Sequence, residues 1–404
     1  MPTSARGALI SLSLSMLLAS MGTSIANVGL PSLAQAFDAS FHAVQWVVLA
    51  YLLAITAVIL SAGRLGDRFG RRRLLLTGLL LFTLASGLCG IATRLEWLIG
   101  ARILQGFGAA IMMAMALAMV GDTVAPERTG RVMGLLGTMS AVGTAMGPSL
   151  GGALLGLWGW RALFIVGMPL GLLAAALAWR YMPVDRANLS APVGLGLRTA
   201  WHERTLRVGL VMSALIAAVI MATFVVGPFY LSHGLGLAPA QMGLAMAVGP
   251  CVAAISGVPA GYLTDRFGNP RMTLAGLGLM LCGALLLSLA TGLPAYLGAL
   301  VILTTGYSLF QAANNTAVMS HVQAARRGTV SGLLNLSRNL GLIIGASGLG
   351  AVFAWATPDI TRATGQAVAH GLQVTFATAA GLILVAGAMA CGRIPAMNTG
   401  KNAR

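Results

Sequence analysis

Two arginines stand inside long apolar runs of this sequence, Arg102 in the stretch 97–121 and Arg338 in the stretch 328–355. A guanidinium stays protonated at any accessible pH, offers five donors and accepts nothing. Its chemistry there is the binding of anions or carbonyl oxygens, not the carriage of protons. Amides accompany both arginines: Gln105 follows Arg102 by three positions, Asn27 lies in the first apolar run, and Gln311, Asn314 and Asn315 form a polar row in another. Arg102, Gln105, Asn27, Gln311, Asn314, Asn315 and Arg338 are therefore the candidates to bind a substrate, since ionisable residues in such runs mark functional sites by default. Structural roles stand beside this one. Arg102 can snorkel to an interface or bond the carbonyls of the first helix, Arg338 can anchor on neighbouring carbonyls, and the two asparagines can hydrogen-bond between helices.

The acids matter as much by position. Asp38, Asp67, Glu96, Asp122, Glu127, Asp185, Glu203, Asp265 and Asp359 all fall at predicted helix ends or in loops, as do the five histidines. A proton carrier must titrate, face a central cavity and meet both sides in turn, and no group sits plainly at midplane to do so. Asp38, Asp122 or a proton borne by the substrate are the remaining routes. Two fixed cations without a carboxylate should repel lone cations, which points to a neutral, zwitterionic or anionic substrate. Cys89, Cys251, Cys282 and Cys391 form no CxxC or Cys/His spacing, so no metal centre, disulfide framework or cofactor is expected.

The elements that must hold these residues are membrane helices. The 404 residues are 57% hydrophobic and 8% charged, far from the roughly one-quarter charged of soluble domains. Spanning a bilayer takes about 20 helical residues. Windows of that kind fall near 8–30, 42–62, 74–93, 97–121, 131–156, 162–181, 208–231, 241–262, 272–291, 295–319, 328–355 and 370–391. The first continues too far to be the core of a cleaved signal peptide. The fold class is thus all-α and polytopic, with twelve helices in two six-helix bundles, 1–181 and 208–404, joined by a polar linker at 182–207. Trp46, Trp97, Trp158, Trp160 and Trp355 sit at predicted outer ends, and Trp179 and Trp201 at inner ends, as an interfacial aromatic belt requires. About 20 of the 25 basic residues fall on one side of this layout, so by the positive-inside rule both termini lie in the cytoplasm. Nucleic-acid binding would need that charge clustered with aromatics on a soluble face.

The two bundles are copies. Gly63-Arg64-Leu65-Gly66-Asp67-Arg68-Phe69-Gly70-Arg71 recurs as Gly261-Tyr262-Leu263-Thr264-Asp265-Arg266-Phe267-Gly268-Asn269, an offset of 198. The same offset carries Arg128 onto Arg326, Gly143 onto Gly341, Gly147 onto Gly345 and Gly152 onto Gly350. Asp67, at the end of the second helix, can cap the positive N-terminus of a helix in the other half, with arginines paired to it. A plain topogenic loop would explain Arg71, Arg72 and Arg73 but not the repeated Gly and Asp.

This loop resembles the G-x-L-a-D-r-x-G-r motif of the major facilitator superfamily. The resemblance implies parallel repeats with a substrate site between them near midplane. It also implies a conformational latch at Gly63, Asp67, Arg68, Gly70 and Arg71, with a weaker copy at Asp265 and Arg266. Arg102-Ile103-Leu104-Gln105-Gly106-Phe107-Gly108 resembles the family's R-x-x-Q-G-x-G motif of helix four. Gly143-Thr144-Ala145-Met146-Gly147-Pro148-Ser149-Leu150-Gly151-Gly152 matches its G-x-x-x-G-P-x-x-G-G motif of helix five, which goes with export in exchange for protons. As residues alone, those glycines form a groove for close helix packing and Pro148 bends the helix. Ser24-Ile25-Ala26-Asn27-Val28-Gly29-Leu30-Pro31, ending helix one, and Ser331–Gly341 resemble signatures of fourteen-helix drug:proton antiporters, although this chain has room for twelve. That branch carries an aspartate just before the first signature; here the position is Gly22.

The expected function is export of a small amphipathic compound or metabolite from a bacterial cell by alternating access, driven by proton antiport. A facilitator or uptake permease without proton coupling is the alternative that Gly22 favours. The expected partners are the substrate, the bilayer and, under antiport, protons. No constellation for an enzyme is present in the motifs.

Overall fold

The computed structural model describes residues 3–120, 129–183, 204–320, 327–357 and 363–392. The described residues form helices without strands. The N-terminal half has α1 (Thr3–Ala36), α2 (Phe41–Phe69), α3 (Arg71–Gly90), α4 (Leu95–Ala118), α5 (Thr129–Trp158) and α6, which runs Ala162–Ile165 and, past a break at Val166, Gly167–Tyr181. The C-terminal half has α7 (Arg204–Phe229, extended by a π turn at Tyr230–Gly234), α8 (Pro239–Phe267), α9 (Asn269–Ser288), α10 (Leu293–Met319), α11 (Arg327–Ile344, with a π turn at Gly345–Leu349 and a last segment Gly350–Ala356) and α12 (Gly365–Cys391). Among the described residues eleven helices are long and apolar enough to cross a membrane. The twelfth, α5, has Arg131 as its one charged residue.

The offset of 198 reappears as packing. In the first half α1 packs on α5, α2 and α3 on α4, and α3 on α6; in the second α7 packs on α11, α8 and α9 on α10, and α9 on α12. Its sharpest expression is a pair of glycine crossings. A Cβ on Gly108 would lie 2.6 Å from the Phe82 amide nitrogen and 2.8 Å from the Gly78 carbonyl oxygen, where α4 crosses α3. One on Gly306 would lie 2.7 Å from both the Met280 nitrogen and the Gly276 oxygen, where α10 crosses α9. Gly78, Phe82 and Gly108 map by the offset onto Gly276, Met280 and Gly306. The repeated loop has an equally local cause. Gly70 and Gly268 hold φ of 94° and 84°, a region that favours glycine, and each ends one helix while starting the next with no residue between.

The halves meet tightly at the end of the bundle opposite these basic turns. Phe41 of α2 packs on Phe229 of α7 and Phe353 of α11, with ring centroids 5.0 and 5.6 Å apart. Beside them the Gln45 side-chain amide donates to the Ala346 carbonyl across the halves. At the same end Gly152 of α5 lies against Gly243 of α8, and a Cβ on either would come within 2.7 Å of the other's Cα. Towards the basic end the same two helices separate: a Cβ on Gly137 or Gly257 would meet nothing within 4 Å.

Two expectations need correction. Trp160 is not an interfacial belt residue: it is 8% exposed and packs on Phe37 and Phe164, whereas Trp46, Trp97, Trp158, Trp179 and Trp355 are exposed. Trp201 lies outside the described residues, as do residues 184–203 of the linker, whose last residues, 204–207, fall within α7. Helix one does not end at Pro31 but runs on to Ala36.

Because the glycine crossings bring backbone against backbone, Gly108→Val or Gly306→Val should destabilise the fold by about 1–3 kcal/mol through overpacking. Gly100→Ala, at a site where a Cβ meets nothing within 4 Å, should be neutral. Thermal unfolding of the detergent-purified variants checks both.

Candidate functional site

Between the halves lies a cavity of about 420 Å³, walled by α1, α2, α4 and α5 on one side and α7, α8, α10 and α11 on the other. Its two walls are built from repeat-equivalent positions. Thr23 and Met221, Leu52 and Pro250, Ile55 and Ala253, Met113 and Gln311, Ser140 and Arg338, Ala141 and Asn339, Thr144 and Leu342 all line it, each pair 198 apart. The duplication supplied one scaffold twice, and divergence of the side chains made the two faces chemically different.

On α1 the lining residues are Ser20, Thr23, Ser24 and Asn27, spaced i, i+3, i+4 and i+7, one stripe of a helix. The Thr23 hydroxyl donates to the Ala19 carbonyl, Ser24 to the Ser20 or Met21 carbonyl, and the Asn27 amide to the Thr23 and Ser24 carbonyls. Ser20 instead pairs with Ser140 of α5 at 2.6 Å, and the Ser24 hydroxyl lies against Gly147 of α5. Asn27 is 1% exposed, and its Oδ1 has no hydrogen-bond partner. On the other wall Arg338 is the one charged side chain among the described residues lining the cavity, and it has no hydrogen-bond or ion-pair partner among them.

Of the residues singled out from the sequence, Asn27, Gln311, Asn315 and Arg338 line the cavity together. Arg102 and Gln105 do not. Arg102 is fully buried inside the N-terminal half: Nε donates to the Val47 carbonyl at 2.9 Å, Nη2 to the Gly22 carbonyl at 3.0 Å and Nη1 to Gln105 Oε1 at 2.6 Å. Gln105 Nε2 passes the chain on to Ser86 Oγ at 2.7 Å, and the guanidinium carbon sits 4.0 Å from the centre of the Tyr51 ring. One cation thus ties α1, α2, α3 and α4 together. Carbonyls and an amide take the place of a carboxylate, and Gly22 leaves the space: a Cβ there would meet the Tyr51 hydroxyl at 2.6 Å. Asn314 also faces away from the cavity, donating to the Gly209 carbonyl of α7 at 3.1 Å. It takes the interhelical role and Asn315, one position on, the lining role.

The helix-five glycines lie close against α1 and α8. A Cβ on Gly143 would strike the Leu17 carbonyl at 2.3 Å, and one on Gly147 the Ser24 hydroxyl. Gly151 faces Ile25, and Gly152 faces α8 with the carbonyl of the neighbouring Pro148 beside Gly243. In the loop motif the side chains of Gly63's neighbour Arg64 and of Asp67 lie outside the described residues. Arg68 is exposed, Arg71 donates to the Ala118 carbonyl at 3.4 Å, and Asp265 and Arg266 are exposed. Sequence reasoning missed the α1 stripe, whose helical spacing was its signal, and Ser140 and Asn339, which the offset marks.

The sequence matches the family profile of the Major Facilitator Superfamily over residues 12–346. The chain belongs to that superfamily. It is a multi-pass membrane transporter, not an enzyme. Among its curated relatives within the superfamily, the riboflavin transporter RibZ of Clostridioides difficile (strain 630) is 29% identical over 86% of this chain and 88% of its own length. The multidrug resistance protein Stp of Mycobacterium tuberculosis is 30% identical over 90% of this chain and 79% of its own. The fold resembles the crystal structure of a bacterial homolog to the human lysosomal transporter Spinster, in an inward-facing and unoccupied conformation, with a TM-score of 0.83 at 20% identity, covering 96% of this chain and 97% of that one.

The geometry separates the two arginines. Arg102→Gln should cost about 1–3 kcal/mol, since it leaves buried carbonyls and an amide without the donor that satisfies them. Arg338→Gln should stay within about 0.5 kcal/mol of the wild type. Thermal unfolding in detergent reads both; equal losses would contradict the assignment.

Proposed function

We propose that this member of the superfamily is a secondary active transporter that exports a small amphipathic compound or metabolite by alternating access. Its setting is a bacterial inner membrane, with both termini in the cytoplasm. The observation that carries the reading is the cavity, sealed at one end by Phe41, Phe229, Phe353 and Gly152–Gly243 and separating towards the basic end at Gly137 and Gly257. The halves 1–181 and 208–404 rock about it, joined by the linker 182–207. The helix-five motif and the multidrug name of Stp support export. The latch comprises Gly63, Asp67, Arg68, Gly70 and Arg71 with Asp265 and Arg266, and it holds the basic end shut in the opposite state. Asp265, exposed and without an ion-pair partner among the described residues, is what a disengaged latch looks like.

Proton antiport is the drive that the helix-five motif suggests. A facilitator or uptake permease is the second reading, favoured by a cavity that no carboxylate lines among the described residues. Substrate-induced proton movement in inside-out vesicles separates them. Antiport gives proton release with a transported compound, absent from vesicles lacking the protein; a facilitator moves the compound down its own gradient and leaves the pH still.

The latch has its own test. Asp67→Asn should cut transport at least about tenfold, the worth of a charged hydrogen bond, while membrane insertion stays normal. Unchanged transport would count against the latch.

A further inference from the structure

The two walls of the cavity differ in what they offer a ligand. Arg338 is donor-only and cationic, while the α1 stripe opposite is uncharged and ends in Asn27, whose amide donates to its own backbone and whose Oδ1 is buried and unpartnered. Their separation follows from the repeat. Ser140 is the position that the offset maps onto Arg338, and it hydrogen-bonds Ser20 of α1 at 2.6 Å. Repeats related by an axis along the membrane normal keep equivalent residues at equal depth, so Arg338 lies level with Ser20. Asn27 is seven residues further along α1, about 10 Å nearer the sealed end. Between these poles the walls are apolar and adaptable, with Met113, Met221, Met246 and Phe224.

We propose that the cavity takes an amphipathic monoanion whose acidic head lies on Arg338 of the C-terminal half and whose far end, about 10 Å nearer the sealed end in depth, donates a hydrogen bond to Asn27 of the N-terminal half. This rests on the cavity being the transport site. One cation accepts one anionic head, and a second charge would have no counter-charge. A lone cation meets Arg338 at short range in a poorly hydrated space and is excluded. A ligand held at both poles bridges the halves, so its binding bears on their relative position.

The test is isothermal titration calorimetry on the full chain in detergent, with a matched series of probes. The anion is para-coumarate, a carboxylate with a phenolic donor at its far end. Para-coumaramide is its neutral counterpart, cinnamylammonium the cation, and para-methoxycinnamate lacks the far donor. The wild type should bind para-coumarate at least about tenfold more tightly than the amide, and the methyl ether about threefold more weakly than para-coumarate. Arg338→Gln should abolish the preference for carboxylate, Arg338→Glu should make cinnamylammonium the best ligand, and Asn27→Leu should erase the difference between phenol and ether. Equal or tighter binding of the amide or the cation by the wild type, or no binding of any probe, overturns the proposal, and these arms need no variant to fold. Proteoliposome transport keeps the two readings apart. Binding in the expected order with no movement of para-coumarate would sink the transport reading and leave the site; movement of cinnamylammonium but not para-coumarate would sink the site and leave transport.

Discussion

The structure depends on how closely helix backbones can approach one another. Inside a bilayer, apolar side chains gain little by leaving lipid for a neighbouring helix, so association rests on packing contact and on hydrogen bonds between helices. Here both begin with glycine. At Gly78–Gly108 and Gly276–Gly306 a missing Cβ lets carbonyl and amide groups of adjacent helices nearly touch. Gly143 and Gly147 do the same for α5 against α1, and Gly152 and Gly243 for α5 against α8. The first two contacts build each half, the third seats the helix-five motif, and the last closes the molecule at one end. The α5 motif thus faces two helices at once: its early glycines hold α1 inside the half, and its last one meets the other half.

Close approach also explains how a fully buried arginine is tolerated. An unpaired guanidinium in a low-dielectric interior would be very costly, and its charge cannot be removed by deprotonation. Arg102 is instead solvated by the protein, through the Val47 and Gly22 carbonyls, Gln105 and the face of Tyr51. Backbone carbonyls can serve because the helices are near enough and because Gly22 adds no side chain between them. The consequence reaches the cavity. With Arg102 held behind the wall, the fixed positive charge of the lining comes from Arg338 alone among the described residues, and it belongs to one half only.

That asymmetry sits on a symmetric frame. Seven repeat-equivalent pairs line the cavity, so the duplication determines where the wall is and the individual side chains determine its chemical character. Ser140 against Arg338 and Met113 against Gln311 are the same places in the scaffold with opposite chemical character. The N-terminal wall of the cavity carries the hydroxyls of α1 and α5, and the C-terminal wall carries a cation and amides.

Much of this was legible in the sequence. Apolar windows and the basic bias gave the twelve helices and the membrane, since in lipid only helices or closed barrels satisfy the backbone. A single offset gave the duplication, and Gly70 and Gly268 were marked by recurrence before their positive φ supplied the reason. What sequence could not say is how each helix is rotated about its own axis and which neighbours it meets. Consecutive residues on a helix point about 100° apart, so Asn314 and Asn315 look alike in a polar row but face α7 and the cavity respectively. Arg102 and Arg338 likewise look alike as cations in apolar runs. Packing made one a strut within the N-terminal half and left the other facing the cavity, because a side chain's role depends on which carbonyls and rings the tertiary fold brings within its reach.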